Sequence, residues 1–174
     1  NLALVTAIGW FSRYDDEVAK RKMIDLLLGL GADVHAGDEA AVNAAAGAGL
    51  GLLKHIIKAG GVPSFETLSR AVNANQLEAV NFLIEAGIDP KRRDDKGGTL
   101  LHQAATSWTG SNDRRIEDLW DRLLAVGVEI DAGDNDGDTA LHLAARRLYV
   151  PMVYWLMDHS ARGKGGNKRG RNPW

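Results

Sequence analysis

The stretch Asp134-Asn135-Asp136-Gly137-Asp138-Thr139-Ala140-Leu141-His142-Leu143-Ala144-Ala145 places an acidic, glycine-bearing turn directly before a Thr that opens a short apolar helix. The same arrangement stands earlier, as Asp94-Asp95-Lys96-Gly97-Gly98-Thr99-Leu100-Leu101-His102-Gln103-Ala104-Ala105. With the Thr as anchor, a step of 33 back from Thr99 reaches Glu66, in Glu66-Thr67-Leu68-Ser69-Arg70-Ala71-Val72. A step of 33 forward from Thr139 reaches Asn172, close to the end of the sequence. Thr99 and Thr139 are 40 apart, so the unit between them carries about seven inserted residues. The chain is periodic, and periodicity governs how every other feature is read.

Each period reads as two short helices with apolar residues at three-and-four spacing, such as Val80, Leu83 and Ile84, or Leu119, Leu123 and Leu124. Gly31, Gly60, Gly87 and Gly127 suit left-handed caps at helix ends, and Pro151 suits a first helical turn. Ala pairs at 44/45, 104/105 and 144/145 let neighbouring helices approach closely. Earlier units follow the template more loosely: Gly37 to Ala45 with Leu50 to Gly60, and before them Leu2 to Ala7 with Met23 to Asp33.

The turn followed by Thr-x-Leu-His-x-Ala resembles the ankyrin signature, T-P-L-H-x-A, with Ala140 in the proline slot. Met23 to Asp33 is similar to that family's L-L-x-x-G-A-D ending. The resemblance covers nearly the whole chain and is closest from Glu66 onward. It implies an all-α fold, a solenoid of stacked helix-turn-helix units with short hairpin loops. The expected layout is a single ankyrin-repeat domain over residues 1–174. Its repeats fall at about 1–34, 35–61, 62–93, 94–133 and 134–166, with a truncated sixth at 167–174. Repeats two and three have short connections, so their hairpin fingers are expected to be stunted.

The 174 residues are 45% hydrophobic and 25% charged, a globular composition, and the formal net charge of -2 provides no whole-molecule positive field for phosphates or anionic lipid. Cysteine is absent, which excludes disulfides, thiolate nucleophiles and thiolate zinc sites. No apolar run approaches the roughly 20 residues that cross a bilayer. The start, Asn1-Leu2-Ala3, has neither Met nor a signal pattern, and reads as an excised or processed fragment. Together these lead to the expectation of a cytoplasmic monomer that binds another protein, with no nucleic-acid partner and no membrane insertion.

His102 and His142 occupy the same repeat slot and tempt a catalytic or metal reading. The resemblance implies structural hydrogen bonds near the hairpin instead. Equivalent residues in successive repeats stand in a row about a helix spacing apart, which does not make a coordination shell. Glu129 to Asp138 superficially suggests a calcium loop. With Gly137 in the sixth position, however, Ala132 and Leu143 fall where carboxylate ligands are required. The tail from Arg162 to Arg171 is basic, yet one repeat earlier Asp134, Asp136 and Asp138 stand where Asn167, Arg169 and Arg171 stand here, so mutual pairing or plain solvation is expected. Asp15, Asp16 and Glu17 read as a solvated insertion. No nucleophile elbow or phosphate loop is present, and the expectation is no enzyme, no cofactor and no metal.

Two segments depart from the repeat pattern: Trp10 to Lys22 and Thr106 to Arg115, which bears Trp108. Insertions in repeat proteins map to loops on one face, often the binding face. The resemblance places partner binding along a concave groove made of hairpin tips and first helices. Carried over position by position, this gives Asp95, Lys96, Thr106, Ser107, Trp108, Asn135, Asp136, Asp138, Arg146 and Arg147. Replacing Lys96, Asp136 and Arg146 together is expected to abolish binding without lowering thermal stability. Pro173 and Trp174 either begin a further unit or serve as a makeshift cap. The alternative reading is a regulatory or targeting region of a larger multidomain enzyme or effector.

Overall fold

The computed structural model describes residues 2–11, 16–34, 39–107, 115–161 and 166–173, which form two compact units, residues 1–88 and 89–174. The first unit holds α1 (Leu2–Phe11), α2 (Glu17–Gly29), α3 (Ala40–Ala48), α4 (Leu50–Lys58), α5 (Phe65–Asn73) and α6 (Leu77–Glu85). The second holds α7 (Leu100–Thr106), α8 (Arg115–Ala125), α9 (Ala140–Arg146) and α10 (Val150–Asp158). Among the described residues there is no strand, and the fold is all-α as expected.

In the first unit, α3 packs between α1 and α5, while α4 packs between α2 and α6. A middle helix must admit neighbours on two sides, and α3 is built for that from small residues, with Ala41, Ala45 and Ala46 fully buried. Leu4, Ile8, Ile24, Leu53, Ile56, Leu68 and Leu83 fill the space around it. The link from α4 to α5 is short and extended. At Gly61 a side chain would meet Val42 Cγ2 at 2.5 Å, so this backbone lies directly on the core where a fuller repeat would project a finger. The expected finger before α3 falls partly on residues 35–38, outside the described residues.

The expected insertion from Trp10 to Lys22 is corrected. Helix α1 continues to Phe11 and α2 already starts at Glu17, because the Asp16 carboxylate accepts hydrogen bonds from the Val18 and Ala19 amides, both at 3.0 Å, and caps the helix. Lys20, within that segment, is buried on α2.

In the second unit α7 packs on α8 and α9, and α9 on α10. Trp120 of α8 lies edge-on to Tyr149 and Trp155, with ring centroids 5.5 and 5.4 Å apart. Trp155 Nε1 donates to Asp121 at 2.9 Å, which ties α10 back to α8. Burial, with the Glu117 carboxylate nearby, pushes the Tyr149 phenol up to about 12.

Candidate functional site

Three turns of the second unit share one geometry. In the first, the Asp94 amide donates to Gly98 O at 2.9 Å and the Gly97 amide to Asp94 O at 2.8 Å. Asp134 with Asp138 and Gly137 repeats it, and so does Asn167 with Arg171 and Gly170. At each turn the leading side chain accepts two further amides: Lys96 and Gly98 on Asp94, Asp136 and Asp138 on Asp134, Arg169 and Arg171 on Asn167. A short acceptor side chain is required there. A residue tolerant of the left-handed region is required three positions on, where Gly97, Gly137 and Gly170 have φ of 73°, 78° and 70°.

The fingers hold one another through backbone hydrogen bonds. The Asn135 amide donates to Lys96 O at 2.8 Å, and the Lys168 amide to Asp136 O at 3.0 Å. Arg93, which the sequence did not single out, donates to the carbonyls of Gly97 and Gly133 and so clamps the bases of the first two turns.

The two repeated histidines complete this framework. The Thr99 amide donates to His102 Nδ1 at 3.0 Å, which puts the proton on Nε2, and Nε2 donates to Asp138 O at 2.8 Å. His142 does the same, taking the Thr139 amide on Nδ1 and reaching Arg171 O at 3.1 Å with Nε2. Each His therefore closes the capping box of its own helix and pins the next finger. Burial lowers the His102 pKa below 6.5, against the raising effect of its bond to Asp138. Among the described residues no group of three or more His, Asp or Glu side chains is placed to hold a metal ion.

The residues expected at the binding surface fall into three groups. Asp95, Lys96, Asn135 and Asp136 are exposed at the finger tips, with Asn135 Nδ2 on Asp95 O at 3.2 Å and Asp136 paired with Arg169 at 3.2 Å. Thr106 and Ser107, half-buried at the end of α7, turn their hydroxyls onto the carbonyls of Gln103 and Ala104, while Arg147 is exposed at the end of α9. Asp138 is different. It is only 4% exposed, with its carboxylate bonded by Arg146 at 2.7 Å and by Asn167 at 2.6 Å, which makes it framework. Burial works to raise its carboxyl, but those two hydrogen bonds and the Arg146 charge outweigh burial and hold it below 3.8. Trp108 lies outside the described residues.

Asp138, His142, Arg146, Asn167, Arg171 and Pro173 border a cavity of about 230 Å³ beside the third turn. The pairing expected between basic tail and acidic turn is present at Arg169 and Asp136. Asp138, by contrast, pairs with Arg146 and Asn167, and Arg171 contributes its carbonyl to His142.

A turn, a Thr that begins a helix and a His bonding forward to the next turn, repeated in register, agree with a sequence comparison that matches ankyrin repeats (many copies) at residues 68–112 and 117–157. The chain belongs to the ankyrin repeat family. It is 32% identical over 94 residues to an ankyrin repeat protein of Rickettsia bellii, covering 54% of this chain and 49% of that one. Over 74 residues it is 38% identical to ankyrin repeat protein L271 of Acanthamoeba polyphaga mimivirus, covering 42% of this chain and 9% of that protein. It is also 32% identical over 93 residues to human palmitoyltransferase ZDHHC13, covering 53% of this chain and 14% of the enzyme. The chain thus spans about half of the rickettsial relative and far less of the others. Ankyrin repeats are protein-interaction modules, and among the described residues no helix is long and apolar enough to cross a membrane.

Proposed function

We propose that this ankyrin-repeat chain is a non-catalytic binding module whose partner, another protein, lies in a concave groove over the finger tips and the ends of α7 and α9. The observation that carries this reading is the division of labour in the second unit. Backbone carbonyls, Asp94, Asp134, Asn167 and both histidines hold the fingers, leaving Asp95, Lys96 and Arg147 exposed on a rigid frame. A frame held by its own backbone loses little order on binding, which favours affinity. The repeats are taken at about 1–34, 35–61, 62–93, 94–133, 134–166 and 167–174.

The experiment is capture of partners with the wild-type chain and with a charge-reversed variant, Asp95→Lys, Lys96→Glu, Arg147→Glu. Loss of a partner by a variant that melts like wild type is the expected result, and undiminished capture would remove the site from this surface. Arg146 and Asp136 are poorer choices than the sequence suggested, since each has an internal ion-pair partner and replacing it also loosens the frame.

A second reading, the targeting or regulatory ankyrin region of a larger enzyme, is favoured by the similarity to one seventh of a palmitoyltransferase. It predicts the same groove, engaged by substrates or regulators of that enzyme.

A further inference from the structure

The residue three after the helix cap differs between the two units. In α7 and α9 it is His102 and His142, but in α5 it is Thr67. Thr67 performs the same task at its own cap: Oγ1 accepts the Ser64 amide at 3.0 Å, and the hydroxyl donates back to Asn43 Oδ1 of α3 at 2.6 Å. Neither a hydroxyl nor a carboxamide titrates between pH 5 and 8, where histidine does.

The two histidines perform that task only while neutral. Nδ1 accepts the Thr99 amide in one and the Thr139 amide in the other, at 3.0 and 3.3 Å, and a ring protonated on both nitrogens has no acceptor left. The Thr99 and Thr139 hydroxyls, 2.8 and 2.9 Å from the same nitrogens, can turn to accept from a charged ring, whereas the amides are fixed by the helix start. Both rings are buried, so water does not replace the lost acceptor. His102 faces Asp94 and Asp134, which favour a charged ring, and Arg93, which opposes one; burial outweighs the carboxylates. His142 faces Asp138, whose carboxylate is already taken by Arg146 and Asn167. The surface histidines respond differently. His55 lies on Asp25 at 2.8 Å, and His159 donates to Trp155 O with Nε2 3.4 Å from Asp121, so a charged ring keeps each contact.

We propose that the second unit is an acid-opened clasp. Protonation drives His102 and His142 from their seats against the Thr99 and Thr139 amides, and the pins to the second and third fingers leave with the rings, while the first unit, pinned by Thr67 and Asn43, stays closed. The finger surface is thereby dismantled in acid without unfolding of the whole chain, and this holds whether or not a protein lies across it. Ordinary carboxylates titrate near pH 4, below the range in which the clasp works.

The chain has no cysteine, so one introduced thiol is a clean reporter of local opening. Ala140→Cys places it in the second unit just behind the Thr139 cap, and Ala71→Cys places it on α5 of the first; both alanines are fully buried. Each chain is labelled with a dipyridyl disulfide from about pH 7.5 to about pH 5, the histidine range, and the ratio of the two rates cancels the ionisation of the thiol itself. The ratio of second unit to first is expected to rise by up to about tenfold for each pH unit below 6.5, and to stay flat when His102→Gln and His142→Gln are added to both chains. A flat ratio with the histidines present overturns the proposal, as does a rise that survives their replacement. Should either reporter lower the melting temperature at neutral pH, the amide NMR signals of Thr99 and Thr139 against Ser64 in the unaltered chain make the same comparison: the first two shifting in acid with Ser64 still supports the clasp, and all three moving together, or none, overturns it.

Discussion

At Gly97 two demands meet: the backbone is left-handed, with φ of 73°, and a Cβ would sit 2.5 Å from the Asn135 side-chain oxygen. Gly97→Ala should therefore cost more than the roughly 1–2 kcal/mol of the left-handed conformation alone, measured by urea unfolding. Leu148 shows the reverse. It too is left-handed, with φ of 55°, but is 75% exposed, and Asn75 holds the same place in the first unit with φ of 54°. Leu148→Asn should stabilise the chain by about 0.5–1 kcal/mol, since Asn tolerates this conformation better, and a lowered urea midpoint would contradict that. Asn167 was legible only as part of a basic tail, yet its identity is decided by Asp138. The Asn oxygen accepts the turn amides and its nitrogen donates to the buried carboxylate, a pairing no second carboxylate can make. Asn167→Asp should lose about 1–3 kcal/mol at neutral pH, and part of the loss should return in acid, where the two carboxyls can share a proton.

At the scale of elements, α7 and α9 are each capped by a Thr with a His three residues on, and each is fastened to the finger after it. His102 gives this fastening a pH dependence. Its folded pKa lies below 6.5, so between that value and 6.5 the unfolded chain holds more protons. The His102 contribution is complete above pH 6.5 and declines as pH falls toward the folded pKa, by at most about 1.4 kcal/mol per unit. Urea midpoints on either side of pH 6.5 should show this slope in wild type and a shallower one in His102→Gln. The helices themselves were largely readable from period and caps, since Gly31, Gly60, Gly87 and Gly127 all take positive φ where the sequence placed helix ends. The beginning of α2 was not readable, because Glu17 to Lys22 is mostly charged and without apolar period. Its helix depends on the Asp16 cap and on burial of the Lys20 stem, neither of which a pattern reveals.

For the molecule as a whole, the sequence revealed the family because its motif is a set of covalently near neighbours, Thr and His three apart behind a glycine turn. What each charged residue faces was less legible, because that depends on residues a full repeat away. Asp138 looked like its exposed neighbour Asp136 and proved to be buried, and Arg93 gave no signal at all. The backbone bonds between fingers have a consequence for hydrogen exchange. Finger tips have the sequence of fast-exchanging loops, but the amides of Asn135 and Lys168 are bonded to carbonyls of the preceding finger. Their deuterium uptake should wait for neighbouring fingers to part, so two loop amides would time the opening of the repeat stack, and a partner seated across the fingers would slow both together.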